Sequence, residues 1–339
     1  MRQYVLRRLL ALPFVVLAVT MLVFVLVRVG GSPIGIYLEP GMSDQEVAQL
    51  EQRFHLDESL PVQYVYWLNG AIHGDLGWSG VSASPVVEAF PDKLGATIEL
   101  AVAAGLVAVC FGVWLGTFAA RRRNRPSDQF ARVFAIGGAS LPNFWFGILM
   151  LIVFWVWLKW FPIGRYDIDL WQSIDHHTGL YTVDSLLAGN LDAFVDAVWH
   201  LALPSLVLGY ITAAMIVRMM RSSLVDELGR DYVEAARAKG LPERMVIRRH
   251  ARRNALVPTV TVIGLSIGIL LEGTVVVETI FHWPGIGRWM AQAVLSGDNA
   301  TILGYVLFLS VTYLLVNLLV DVVCAYLDPR IQLRAGDAT

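Results

Sequence analysis

Six apolar blocks, each near the length of a bilayer crossing, dominate the chain, at about residues 9–29, 97–120, 133–161, 198–217, 255–277 and 301–325. A hydrocarbon core of about 30 Å takes about 20 helical residues to cross, so the pattern predicts six transmembrane helices. The composition agrees, with 56% hydrophobic and only 16% charged residues among 339. Soluble domains carry roughly a quarter of their residues as charges, so a water-soluble globule and a disordered chain are both excluded. The first block follows Arg2, Arg7 and Arg8 and resembles a secretory signal, but its 19 apolar residues exceed a signal core. It is therefore expected to stay as a span.

Charge sets the orientation, because cytoplasmic segments retain Lys and Arg. With the N-terminus inside, 20 of the 26 basic residues and nine of the 28 acidic ones fall on the inner side, a net of +11 against −13 outside. The expected topology therefore has both termini in the cytoplasm. The expected divisions are a tail and first span at 1–29, an external helical loop at 30–96, a core of helices two to six at 97–325, and a cytoplasmic tail at 326–339.

Cys110 and Cys324 both lie inside apolar blocks, which leaves no disulfide framework and no thiolate metal cluster. In the first external loop, Ser43 and Glu46 form a capping-box pattern, and a second short helix is expected from Pro61. The external loop 162–197, rich in Asp, reads as a solvated surface. Its adjacent His176 and His177 lack the spacing of metal ligands, so no metal site is expected.

The segment 219–254 is internal and carries the most information. Helix-forming residues run from Leu224 to Lys239 and stop at Gly240, and Pro242 restarts a helix. A sharp corner at Gly240 results, with Ala235 and Ala236 offering a narrow surface that another protein could approach closely. A basic hairpin lying on anionic lipid accounts for the same residues.

The run Glu234-Ala235-Ala236, followed by Gly240, resembles the EAA loop of ABC-importer permeases, where it forms the coupling helix that docks on the ATP-binding subunit. The resemblance extends along the chain and is closest to the dipeptide and oligopeptide permease group. It is carried by Leu60-Pro61-Val62-Gln63-Tyr64, Ser140-Leu141-Pro142, Phe144-Trp145, Asp231-Tyr232, Arg249-His250-Ala251, Trp283-Pro284-Gly285 and Leu327-Asp328-Pro329-Arg330. One departure narrows the subgroup. The general loop ends in Ile-x-Leu-Pro, whereas this chain has His250, Arg252 and Arg253, with proline only at Pro258.

The resemblance implies an all-α type I importer fold in a bacterial plasma membrane, pairing as a heterodimer with a second permease subunit. It also implies two ABC ATPase subunits, which use ATP and Mg, and an external solute-binding protein. Asp231, Glu234, Ala235, Ala236, Lys239 and Gly240 are the expected contacts to the ATPase. Asn143, Trp145, Glu272 and Glu278 are candidates for the substrate path. Glu272 stands where the family usually has a small residue, about 26 Å up its helix from Ala255 and so near the outer interface.

The chain is expected to be non-catalytic and to bind no cofactor. No phosphate-binding loop is present, since none of Lys93, Lys159 and Lys239 is followed by Ser or Thr. Nucleophile-elbow and zinc-protease motifs are missing too, and nothing suggests nucleic acid. Related subunits carry nickel chelates or glutathione, the alternative cargoes. An ion-driven secondary transporter would need broken helices and carboxylates at mid-depth. Glu99, Glu272 and Asp321 instead fall near helix ends.

Overall fold

The computed structural model describes residues 2–31, 34 and 42–327, with side chains described except at 2–12, 139, 267, 269, 271–273, 313 and 315–327. The expected tail from 328 and the side chains of Glu272, Asp321 and Cys324 lie outside the described residues. Helices α1 (Arg2–Gly30), α2 (Asp44–Arg53) and α3 (Leu60–Ile72) lead into a two-residue hairpin, β1 (Trp78–Ser79) with β2 (Ser84–Pro85). The long α4 (Val86–Arg121), α5 (Pro126–Ser140) and α6 (Asn143–Leu151) follow, the last running into a π-helical stretch, Ile152–Trp157. Short α7 (Ile168–Gln172) and α8 (Tyr181–Leu187) precede α9 (Leu191–Leu228), α10 (Asp231–Ala238) and α11 (Glu243–Met245). A second π-helical stretch, Val246–Ala251, opens α12 (Arg252–Ile280), which α13 (Ile286–Ser296) and α14 (Asn299–Leu327) follow.

Five of the six expected apolar blocks each fall within one helix, and the block at 133–161 is divided. Three described helices are long and apolar enough to cross a bilayer, Pro13–Gly30, Val86–Arg121 and Leu191–Leu228, and the pair Pro126–Gly138 with Asn143–Trp157, bent by 110°, has the length and composition for a fourth if it forms one span. The helix expected at 133–161 is thus broken rather than continuous. Pro142 lacks an N–H and crowds the residue before it, so Leu141 sits extended at φ −87, ψ 128 and the helix breaks there. The α4 helix also starts at Val86, ahead of the apolar block, and so takes in Glu88, Asp92 and Lys93.

The chain packs as two units, 1–91 with 289–339, and 92–288. In the first, α1 packs on α14 and α3. Thr20 and Tyr64 share a hydrogen bond of 2.8 Å between their hydroxyls, and Phe24 meets the Tyr64 ring edge-on. The capping box forms as expected, with the Ser43 N–H 2.7 Å from the Glu46 carboxylate. Asp298 heads α14 and binds the hairpin, accepting from the Ser79 hydroxyl at 2.8 Å and the Val81 N–H at 3.1 Å.

In the second unit α9 is the central element, flanked by α12 and α5. Its core joins Leu100, Ala104, Leu203, Val207, Leu270, Val277 and Trp283. The loop 162–197, expected to be a solvated surface, instead builds α7 and α8 over its own core of Ile174, Tyr181, Ala193 and Ala197. Arg165 organises it: Nε and Nη2 lie 3.1 and 2.9 Å from Glu99 Oε2, and Nη2 donates to Gly179 O at 2.6 Å. Glu99 is thus fully engaged by a buried partner. His176 stacks on Trp171, and among the described residues no cluster of His, Cys, Asp and Glu is arranged to hold a metal ion.

Candidate functional site

The elbow between α9 and α12 is built from local rules. α9 ends at Gly229, and extended Arg230 (φ −84, ψ 146) starts α10. Asp231 and Glu234 occupy the first turn of α10, where carboxylates suit the positive end of the helix dipole. At the other end the Gly240 N–H bonds Arg237 O at 2.9 Å and the Leu241 N–H bonds Ala236 O at 3.4 Å. That pair of bonds is a Schellman cap, and it requires the left-handed conformation that Gly240 adopts at φ +75. A Cβ at Gly240 would meet nothing within 4 Å, so conformation rather than space selects glycine here.

Two faces of α10 then separate. Val233 and Ala236 are buried in a cluster with Met220, Leu224, Val246, Ala251 and Ala255. Asp231, Glu234, Ala235, Lys239 and Gly240 are exposed. Ala236 packs inward at 6% exposure, in the cluster against which Leu241 of the cap also packs.

Ion pairs hold the elbow to the bundle. Arg237 Nη2 lies 2.8 Å from Glu243 Oε1 and Nε lies 3.0 Å from Oε2, bridging the corner. The guanidinium holds the Glu243 carboxyl below the usual carboxylate range. Tyr232 donates to the Glu227 carboxylate on α9 and accepts from Asn254 Nδ2 at 3.0 Å on α12. Behind it, fully buried Asp128 in the first turn of α5 accepts from Arg221 Nε and Nη2 of α9 with its two carboxylate oxygens and accepts the Asn124 N–H at 2.9 Å. None of these pairs was singled out from the sequence. Only the opposite charges six residues apart around Gly240 could have signalled one of them.

The substrate-path candidates are not drawn into one site. Asn143 opens α6 with its Oδ1 buried and unpartnered among the described residues, and Trp145 is 48% exposed. Glu278 is fully buried and hydrogen-bonded. Thr97 donates to its Oε1 at 2.6 Å and the Arg288 N–H to its Oε2 at 2.9 Å. The Trp283-Pro284-Gly285 turn wraps this carboxylate, with Trp283 Nε1 anchored on Ala96 O at 2.8 Å. Glu278 therefore fastens the turn after α12 to α4.

Comparison with known proteins fits this architecture. The model of the family described as binding-protein-dependent transport system inner membrane component matches residues 112–333, which include the whole elbow. The chain belongs to this family. The permease is 41% identical over 337 residues to the dipeptide transport system permease protein DppB of Escherichia coli strain K12, covering 98% of this chain and 99% of that protein. It is 39% identical over 335 residues to the di/tripeptide transport system permease protein DppB of Pseudomonas aeruginosa, covering 98% and 99%. The glutathione transport system permease protein GsiC of Salmonella typhimurium is 37% identical over 336 residues, covering 98% and 100%.

Proposed function

We propose that this permease is one of two pore subunits of an ATP-driven importer of dipeptides or oligopeptides, working by alternating access. The observation that carries the reading is the elbow. A rigid corner projects Asp231, Glu234, Ala235, Lys239 and Gly240, while Val233 and Ala236 tie it into α9 and α12. A push on that corner reaches both helices directly, which is what transmission from a nucleotide-driven partner requires.

In this reading the six helical blocks span the inner membrane with both termini in the cytoplasm, supported by the asymmetry of basic residues. A second permease completes the pore, two ATPases hydrolyse ATP with Mg, and an external binding protein delivers substrate. This chain is non-catalytic and binds no cofactor. Asn143, Trp145, Glu272 and Glu278 are the candidates for contact with cargo. Glutathione is the second cargo reading, supported by the relative of that name at 37% identity.

The deciding experiment reconstitutes the complex in proteoliposomes with the binding protein and measures ATP hydrolysis with dipeptides, longer peptides or glutathione. Stimulation by dipeptides with uptake is expected. Hydrolysis indifferent to all peptides, or uptake driven by an ion gradient without ATP, would overturn the reading.

A further inference from the structure

Five arginines, Arg244, Arg248, Arg249, Arg252 and Arg253, line an open hollow of about 730 Å³ where the second π-helical stretch enters α12, and no acidic residue lines it. Four other arginines of this unit do lie against carboxylates: Arg165 on Glu99, Arg132 and Arg221 on Asp128, and Arg237 on Glu243. Among the described residues none of the five pairs with a carboxylate. Arg244, Arg248 and Arg252 follow one another at four-residue steps, as do Arg249 and Arg253, so their like charges are held close together. Such a cluster is relieved most strongly by a compact anion that accepts several guanidinium hydrogen bonds at once, above all a phosphate.

The hollow also has an apolar part. Met245 and Leu256 line it, and Val257 and Val260, 68% and 54% exposed, continue up α12 from it. A free phosphate has no use for that apolar strip, whereas an acyl chain extends along the whole of it. We propose that this hollow is a binding site for the headgroup of an anionic phospholipid, its acyl chains lying along the outer face of α12. The proposal rests on the reading above only in placing this end of α12 at the inner membrane surface, where basic pockets meet anionic lipid. Because the elbow enters α12 through these same residues, a lipid seated there would brace the joint that the coupling corner moves.

The test uses the full-length permease purified with its co-assembling subunits, in nanodiscs of phosphatidylcholine doped with spin-labelled phosphatidylglycerol or spin-labelled phosphatidylcholine. A motionally restricted fraction favouring phosphatidylglycerol is expected. The pair Arg248→Gln with Arg252→Gln should lower that preference roughly thirtyfold. The pair Arg122→Gln with Arg123→Gln, an equal charge change at the end of α4, should leave it intact. An unchanged preference in the first pair, an equal loss in both, or displacement of the lipid by inorganic phosphate would overturn the site. A second measurement needs no variant: photoactivatable phosphatidylglycerol should label peptides spanning 242–256 in the wild-type assembly. Labelling only elsewhere, as when an acidic protein face fills the hollow, would also overturn it. Neither readout involves peptide or ATP, so failure here leaves the importer reading standing, and failure of peptide-stimulated hydrolysis leaves this one standing.

Discussion

Arg237 and Glu243 clasp each other across Gly240, with Nη2 2.8 Å from Oε1 and Nε 3.0 Å from Oε2, so that the end of α10 and the start of α11 are held as one corner. The two side chains are 40% and 55% exposed, and pairs so open to water are worth only about 0.5 kcal/mol. The clasp therefore fixes direction more than it adds stability. The planar fork of Arg237 allows one orientation of the α11 carboxylate, and with the Schellman cap it leaves the exposed tip little freedom.

The clasp has a defined pH signature. Arg237 holds the Glu243 carboxyl below its ordinary range, so its contribution is fully present above the unfolded value of about 4.3 and is lost as pH falls through the lower folded value. The thermal midpoint of the wild type should exceed that of Glu243→Gln by a small, constant margin from neutral pH to about pH 5. Below that the margin should close. A margin that closes between pH 7 and 6 would assign the effect to a histidine instead.

Neighbouring alanines on α10 should respond oppositely to the same change. Ala236→Glu forces a charge into the Met220 and Leu224 cluster and should cost at least about 3 kcal/mol, read as loss of folded protein in a thermal scan. Ala235→Glu faces solvent and should leave stability within about 0.5 kcal/mol of wild type, yet reduce co-purification of the ATPase. Gly240→Ala lies between these, with no clash but a strain of about 1 kcal/mol at φ +75. Normal ATPase recovery with Ala235→Glu would show that the docking face lies elsewhere.

Asp128 and Arg221 should behave as a buried pair. Asp128 is fully buried, and removing Arg221 leaves its charge with only Arg132 at 3.5 Å. Arg221→Ala should therefore cost about 3 kcal/mol, read in chemical unfolding. The double variant Asp128→Leu with Arg221→Met should recover most of that loss, because no charge is then left stranded. A double variant as unstable as the single one would indicate that the shape of the pair, and not its charge, holds α5 to α9.

What was legible in the sequence is what neighbouring residues decide. The Ser43 capping box, the α3 start near Pro61 and the left-handed Gly240 each depend on contacts a few residues apart, and each appears as expected. The break at Pro142 was also local, but an uninterrupted apolar composition concealed it: hydropathy averages over a proline that geometry does not. Long-range partnerships were out of reach. Glu99 meets Arg165 across 66 residues and Glu278 meets Thr97 across 181, so the partners that satisfy both carboxylates could not be read from their neighbours in the chain. The burial of Ala236 was out of reach for a related reason, because small residues suit a docking surface and a tight internal contact equally well.

The satisfied Glu278 carboxylate leads to a prediction separating structure from transport. A Cβ on Gly285 would stand 2.3 Å from Glu278 Cδ, so the turn closes on the carboxylate only because residue 285 has no side chain. Gly285→Ala should destabilise the permease by about 2 kcal/mol through this overlap. Glu278→Ala should be worse, leaving a cavity and stranding the Thr97 hydroxyl and the Arg288 N–H. Combined, the two should cost less than their sum, since removing the carboxylate makes room for the new methyl group. Thermal unfolding of the four proteins gives the coupling directly. Whatever Glu278→Ala protein folds should take up peptide with unaltered KM, because the residue grips the turn and not the cargo. A raised KM at full stability would place Glu278 on the substrate path.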